Sequence, residues 1–92
     1  MAYRVIVSPA AQRQLGRLRG VALIALRGVI LGLANEPRPP GAAKLAGRYN
    51  LWRIRLLIDG RPWRVVYQSD ETEKTVIVTR IARRDEGTYR GL

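Results

Sequence analysis

Arginines on one face of a predicted β-hairpin are the clearest chemical signal in the sequence. Asp59-Gly60 separates two β-rich runs, and such a pair is typical of a two-residue type I′ turn, because both turn residues need positive φ. Counting outward from this turn places Arg55 opposite Arg64, with Arg53 on the same face, because side chains alternate across a strand. Like charges placed opposite each other destabilise a sheet, so this face indicates a site for an anion. The alternative is a solvated face of a basic protein.

The composition points to a polyanionic partner. The 92 residues include 17 Lys and Arg against 7 Asp and Glu, a net charge of +10, which favours RNA, DNA, an acidic protein or an anionic membrane surface. Fifteen of the basic residues are arginine, the side chain suited to bidentate phosphate binding. A GC-rich genome would produce the same preference for arginine over lysine.

The residue types that are missing limit the chemistry. The sequence has no cysteine and no histidine, so it offers no disulfide, no thiolate ligand and no imidazole to serve as a general base near neutral pH. Its few carboxylates are scattered among basic residues, which disfavours a metal site, and we predict no cofactor. The longest apolar run, Val21 to Ala34, is shorter than the ~20 residues of a membrane span. No secretory signal is visible, so we expect a cytoplasmic protein without a membrane partner.

Hydrophobic periodicity and turn residues predict six elements in the order β-α-α-β-β-β. A proline- and glycine-rich connection, Asn35 to Gly47, separates the second helix from the hairpin. The sequence therefore predicts one α+β domain over residues 1–92, in which a helical hairpin packs on a small antiparallel sheet. The predicted elements are Tyr3 to Val7, Pro9 to Leu18, Val21 to Ala34, Leu51 to Ile58, Arg61 to Gln68 and Thr75 to Ile81. The hairpin side chains expected in the core are Trp52, Ile54, Leu56, Trp63, Val65 and Tyr67.

An ordered set of short motifs resembles the RelE/ParE toxin superfamily. The resemblance covers nearly the whole chain, including the β-α-α-β-β-β order, and departs from the family where Ala82-Arg83 replaces a common Gly-His pair. It implies a RelE-like mRNA interferase, which is the toxin of a type II toxin–antitoxin system and an endoribonuclease that cleaves mRNA in the ribosomal A site. The motifs are Lys44-Leu45-Ala46-Gly47, Trp52-Arg53-Ile54-Arg55, Trp63 to Tyr67, Ile81 to Arg84, and Tyr89-Arg90.

The resemblance also implies site residues and partners. The implied partners are a cognate antitoxin, forming a hetero-oligomer with the toxin, and the ribosome with its mRNA. The implied catalytic residues are Arg64, Arg84 and Tyr89. The implied RNA-binding residues are Arg53, Arg55, Lys44, Arg48, Arg83 and Arg90.

Metal-independent RNA cleavage is consistent with these residue types. The 2′-OH attacks the adjacent phosphorus while the 5′-oxygen leaves, and fixed arginines stabilise the charge that builds on the phosphate. Arginine has too high a pKa to act as a base, so Tyr89 is either the base or a ring that stacks on a nucleotide. Two alternatives stay open: a ParE-like inhibitor of DNA gyrase on the same fold, and a non-catalytic module that binds nucleic acid through its phosphates.

Overall fold

The computed structural model describes residues 2–47 and 49–83, which form two helices and five strands. The predicted α+β class and element order are confirmed. One further short strand, β2 (Ala42–Lys44), lies within the proline- and glycine-rich connection, where no strand was predicted, and pairs with the edge of the hairpin. The elements are β1 (Arg4–Val7), α1 (Pro9–Gly16), α2 (Gly20–Gly32), β2 (Ala42–Lys44), β3 (Leu51–Ile58), β4 (Arg61–Asp70) and β5 (Thr75–Arg83).

The strands form one sheet in the order β1-β5-β4-β3-β2. The predicted antiparallel sheet is present as β2 to β5, and β1 extends it by pairing in parallel with β5, so the sheet is mixed. The helical hairpin brings the chain back to the start of β1, where the backbone N–H of Tyr3 donates to the carbonyl oxygen of Ala34 at 2.6 Å. The residue pattern of a strand does not encode its direction, which is why the parallel pairing was not predicted.

The hairpin of β3 and β4 has the predicted register. Asp59 and Gly60 both have positive φ, 55° and 76°, as a type I′ turn requires. Arg55 then pairs with Arg64, and Trp52 pairs with Tyr67 three residues further from the turn on each strand. The turn chemistry therefore determines which side chains share each face.

Helix α1 begins as its sequence predicts and ends two residues earlier than predicted. The Ser8 hydroxyl accepts a hydrogen bond from the backbone N–H of Ala11 at 3.2 Å, and Pro9 occupies the first turn, where a missing N–H costs nothing. The helix ends at Gly16. Among the described residues, neither helix has the length and apolar character needed to cross a membrane.

The helices cover one face of the sheet and form the core with it. Leu26 and Ile30 of α2 and Ala11 of α1 pack in one buried cluster with the inward side chains of the strands. The predicted core face of the hairpin is confirmed, with four of its six side chains buried and Trp52 and Leu56 partly buried against them. The four are Ile54, Trp63, Val65 and Tyr67.

Candidate functional site

The side of the sheet that faces away from the helices, here called the outer face, has four arginines in two neighbouring rows. Arg53 and Arg80 flank Val66 in one row, because β3 and β5 pair with β4 at that position. Arg55 and Arg64 are directly paired in the next row. These four residues, the arginine cluster, concentrate four fixed positive charges on one patch of the sheet.

A β-bulge in β5 turns Arg80 toward this patch. Val66 pairs with Arg80 and Tyr67 pairs with Val78, so Thr79 is an extra residue with no partner in the ladder. Strict alternation after Val78, which faces the core, would point Arg80 into the core as well. The extra residue reverses the alternation and places Arg80 on the outer face. Bulges often re-aim a side chain in this way next to functional sites.

Sequence reasoning missed Arg80. Its signal was the spacing of Val78 and Ile81, two apolar residues three positions apart in one strand. Both are buried, which an unbroken strand with a period of two does not allow. An arginine between them therefore had to lie next to a break in the alternation.

Helix α1 holds the bulge in place from the core side. The Ser8 hydroxyl donates to the carbonyl oxygen of Thr79 at 3.4 Å. The backbone N–H of Ile81 donates to the side-chain oxygen of Gln14 at 2.7 Å. The Thr79 hydroxyl in turn donates to the carbonyl oxygen of Val66 at 3.2 Å. Three side chains thus bond to backbone groups at the bulge, so the position of Arg80 depends on α1.

The members of the arginine cluster differ greatly in depth. Arg55 is exposed, whereas Arg64 is only 1% exposed. The alternative of a solvated basic face therefore does not describe Arg64, because strand alternation specifies the face of a residue but not its depth. The Arg53 guanidinium is directed toward the edge of the sheet, where its Nη1 donates to the carbonyl oxygen of Gly41 at 3.1 Å. Since a guanidinium stays protonated, Arg64 is a fixed charge at the base of the cluster.

Two predicted RNA-binding residues lie on the opposite side of the sheet. Lys44 pairs with Trp52 and Arg83 pairs with Trp63, so both share the face on which the helices pack. Arg83 also lines a cavity of about 420 Å³ together with Gln14. The structure therefore does not group Lys44 and Arg83 with the arginine cluster. The remaining predicted site residues lie outside the described residues: Arg48, Arg84, Tyr89 and Arg90.

Tyr67 is a structural residue and a poor proton acceptor. Its hydroxyl donates to the carbonyl oxygen of Pro37 at 2.6 Å, which fastens the connection after α2 to the sheet. Burial raises the pKa of Tyr67 to about 12, and the nearby Arg38 charge opposes this only in part. Arg38 itself stacks over the Trp52 ring at 4.7 Å from its centroid and forms an ion pair with Glu71.

In the described part of the chain, no group of three possible metal ligands comes together.

Comparison with known proteins identifies the family. The family model described as ParE toxin of type II toxin–antitoxin system, parDE, matches residues 5–87. No curated protein sequence matches the chain significantly. An Escherichia coli RelE toxin variant in the free state, with two arginines replaced by alanine, superposes with a TM-score of 0.76 at 22% identity, covering 96% of this chain and 90% of that chain.

Toxin–antitoxin complexes give similar superpositions. A RelBE complex from Mycobacterium tuberculosis has a TM-score of 0.75 at 24% identity, over 91% of this chain and 100% of that chain. An archaeal RelE–RelB complex from Pyrococcus horikoshii has a TM-score of 0.73 at 22% identity, over 94% and 99%. At such identities the likeness establishes the fold, and the family match covers most of the sequence. The chain belongs to the ParE toxin family of type II toxin–antitoxin systems, within the RelE/ParE superfamily.

Proposed function

We propose that this toxin is a ribosome-dependent endoribonuclease that cleaves mRNA in the A site, in the cytoplasm. The observation that supports this function best is the arginine cluster on the outer face. Strand pairing puts these four arginines at neighbouring positions of one face, where their charges attract an RNA phosphate. Arginine binds phosphate bidentately and remains charged through the reaction.

The reaction is attack of the 2′-OH, which gives up its proton, on the adjacent phosphorus. The 5′-oxygen departs, takes up a proton and becomes the 5′-hydroxyl of the downstream fragment, and a cyclic phosphate is left on the upstream fragment. Negative charge grows on the non-bridging oxygens, and preorganised cations lower its energy most effectively. Arg64 is suited to this role as a fixed charge beneath the surface, because at 1% exposed it acts through its electric field and not through direct contact. The exposed Arg55 and the edge residue Arg53 suit binding of the neighbouring phosphates. No metal takes part in this mechanism.

The proton chemistry is assigned to residues outside the described part of the chain. Tyr67 is excluded as the base, because its hydroxyl is bound to Pro37 and its pKa is raised. The family motif makes Tyr89 the candidate for removing the 2′-OH proton or for stacking on the nucleotide, and Arg84 a further stabiliser of the phosphate. A weak base gains from a substrate that the ribosome holds in the reactive geometry, which is the physical reason for ribosome dependence.

The test is cleavage of a defined mRNA on programmed ribosomes, read by primer extension. We expect wild type to cut within the A-site codon and Arg80→Ala to cut at least ~10-fold more slowly, because Arg80 lies in the cluster. Arg61→Ala is the matched control, since Arg61 is an exposed arginine of the same hairpin outside the cluster. The proposal would be refuted if the wild-type protein left the mRNA intact on programmed ribosomes whose mRNA another A-site nuclease does cleave.

The second candidate function is inhibition of DNA gyrase, which the description of the matching family favours. The fold is shared, so the activity itself must distinguish the two functions. A supercoiling assay with purified gyrase and relaxed plasmid separates them: loss of supercoiling with intact mRNA would select gyrase inhibition. If the protein neither cleaves mRNA nor inhibits gyrase but binds RNA in a salt-sensitive way, it is a non-catalytic binding module.

We also propose an acidic antitoxin as the partner, and two surfaces of the toxin support it. One is the arginine cluster. The other is an apolar stripe on α2, the α2 seam, in which Val21, Ile24 and Leu31 are 57%, 72% and 70% exposed. Gly28 lies between them and leaves room for close approach of a helix. These positions repeat every three to four residues, the spacing at which one helix packs against another.

Charge decides which kind of partner the α2 seam fits. Residues 1–35 contain five arginines and no acidic residue, so a second copy of this chain would bring like charges together. An amphipathic acidic helix complements both the seam and its basic surroundings. The solved M. tuberculosis and P. horikoshii relatives are complexes of this kind of toxin with an antitoxin, which supports the same assembly here.

A further inference from the structure

A cavity of about 460 Å³ opens on the outer face next to the arginine cluster. It lies between the β1 side of the sheet and the turn that precedes β3. We propose that this cavity binds an unpaired nucleobase of the RNA, an inference that rests on the proposed ribonuclease function and extends it to base recognition. The lining residues that matter for this function are Arg4, Tyr49, Asn50, Gln68, Asp70 and Glu73.

The cavity is one nucleotide away from the arginine cluster. Gln68 and Val66 lie on the same face of β4, two residues apart, which corresponds to about 7 Å along the strand. Val66 is the residue that Arg53 and Arg80 flank. A strand of RNA with one phosphate on the cluster therefore has a base within reach of Gln68.

Tyr49 supplies an aromatic surface at the cavity. Its side chain is 87% exposed, although the turn that carries it is hydrogen-bonded to the sheet. The carbonyl oxygen of the next residue, Asn50, accepts from the backbone N–H of Ser69 at 3.0 Å, and the N–H of Leu45 donates to the carbonyl of Leu51 at 2.8 Å. The turn is thus attached to the end of β4 beside Gln68. An exposed ring on an anchored turn is suited to stacking on an unpaired base.

The polar lining suits a base better than a second phosphate. In the described part of the chain, no hydrogen bond engages the side-chain amides of Asn50 and Gln68, and an amide offers both donors and acceptors to a base edge. Asp70 already accepts from the backbone N–H groups of Thr72 and Glu73, at 2.9 and 3.0 Å. Its carboxylate and that of Glu73 outnumber the single cation of the lining, Arg4, and disfavour a phosphate. The ligand that fits both observations is a neutral, hydrogen-bonding aromatic ring.

The test measures binding on RNA that cannot be cut. Short single strands that are fully 2′-O-methylated lack the attacking hydroxyl, and a series of them with one abasic position each removes the bases one at a time. We expect Tyr49→Ala to weaken binding of the complete strand about 10-fold or more. Loss of one particular base should have a similar effect, and the two changes together should cost little more than either alone. Tyr49→Phe should bind like wild type.

Leu57→Ala is the matched control, because Leu57 is also an apolar residue of the outer face, 74% exposed, and does not line this cavity. Additive effects of Tyr49→Ala and base removal at every position would overturn the inference, as would equal RNA affinities of Tyr49→Ala and wild type. A loss of antitoxin binding with unchanged RNA binding would also overturn it, since the cavity would then be a protein contact. Because these strands cannot be cleaved, a failure of the ribonuclease proposal on ribosomes leaves the binding result valid, and the two failures are distinguishable.

Discussion

The side-chain oxygen of Gln14 in α1 accepts a hydrogen bond from the backbone N–H of Ile81 at 2.7 Å. This N–H follows the bulged residue Thr79, where the ladder between β4 and β5 is interrupted. The helix therefore satisfies a backbone group at the point where the strand reverses its alternation. The same reversal places Arg80 on the outer face, so a core-side glutamine supports the arrangement of the arginine cluster.

The hydrogen bond between Gln14 and Ile81 should contribute to both stability and activity. Gln14→Leu leaves a partly buried N–H without its acceptor, which costs about 1–3 kcal/mol of unfolding free energy. We also expect slower RNA cleavage at temperatures where the variant is fully folded, because Arg80 loses its fixed position. Urea denaturation and single-turnover cleavage measure the two effects. Gln12→Leu is the control, since the Gln12 amide only donates to the exposed carbonyl of Val7 at 2.9 Å. Equal effects of the two substitutions would contradict this role for Gln14.

Neighbouring residues on opposite faces of β4 should respond in opposite ways. Trp63 is buried among the core side chains, and Trp63→Ala should cost about 3–5 kcal/mol of unfolding free energy. Arg64→Met keeps most of the buried volume and removes a charge that is paired in the sheet with Arg55, so we expect it to cost less stability than Trp63→Ala. Cleavage should nevertheless fall at least ~10-fold, because a preorganised positive charge beneath the phosphate site is lost. Denaturation and single-turnover kinetics give both numbers. A large loss of stability in Arg64→Met would make Arg64 a structural residue.

The hairpin could be predicted from sequence because the residues that determine its turn and register are neighbours in the chain. Asp59-Gly60 specifies the turn, and the turn specifies that Arg55 pairs with Arg64. The depth of Arg64 could not be predicted, since burial depends on what packs over a face and not on the strand itself. Arg80 was missed because the bulge at Thr79 is stabilised by Ser8 and Gln14, which are more than sixty residues away in sequence.

The strand topology also has a part that local sequence predicts and a part that depends on distant contacts. Hairpins between β3, β4 and β5 follow from short connections, whereas the parallel pairing of β1 with β5 depends on how the helices return the chain. Of the predicted site, the structure brings Arg53, Arg55 and Arg64 together and places Lys44 and Arg83 on the helix side. Alternation counted from the hairpin turn grouped the first three correctly. Motif resemblance alone selected the other two, and a motif carries no information about the face.

Tyr67 should make the stability depend on pH in the alkaline range. Its folded-state pKa is raised from the ordinary value of 10.0 to about 12, so the folded protein retains this proton where the unfolded chain loses it. The stabilisation of the folded state by this pKa difference is complete below pH 10 and disappears as the pH rises toward 12. At about 1.4 kcal/mol per pH unit, it amounts to about 2–3 kcal/mol.

Tyr67→Phe isolates this contribution. At pH 7 the variant should be about 1 kcal/mol less stable, because the hydrogen bond to Pro37 is lost. Between pH 10 and 12 it should lose less stability than wild type and become the more stable of the two. Urea titrations at pH 7, 10 and 11 measure the difference. A constant difference across this range would show that ionisation of Tyr67 has no part in the alkaline unfolding.

The α2 seam should contribute the salt-resistant part of antitoxin binding. Ile24→Ser combined with Leu31→Ser removes two exposed aliphatic side chains, which should weaken binding of the co-expressed antitoxin at least ~10-fold and steepen its dependence on salt. The toxin fold should stay intact because neither side chain belongs to the core. Titration calorimetry at two salt concentrations is the measurement. Leu57→Ser, an equally exposed change on the sheet, is the control. Unchanged affinity in the double variant would remove the seam from the interface, and salt-independent dimerisation of the toxin would assign the seam to a second copy.

The final expectation concerns Arg84 and Tyr89, which the family motif assigns to catalysis. Arg84→Ala should reduce cleavage more than ~10²-fold if the guanidinium stabilises the charge on the phosphate. Arg84→Ala and Tyr89→Phe should both still reach the ribosome, because the other basic residues of a chain with a net charge of +10 provide the long-range attraction. Tyr89→Phe separates two roles of the tyrosine: a base loses its proton acceptor, whereas a stacking ring loses almost nothing. Single-turnover cleavage on programmed ribosomes, with binding measured separately, decides between them. Full activity in both variants would refute these assignments and favour gyrase inhibition, while a loss in Arg84→Ala alone would retain the ribonuclease and exclude Tyr89 as its base.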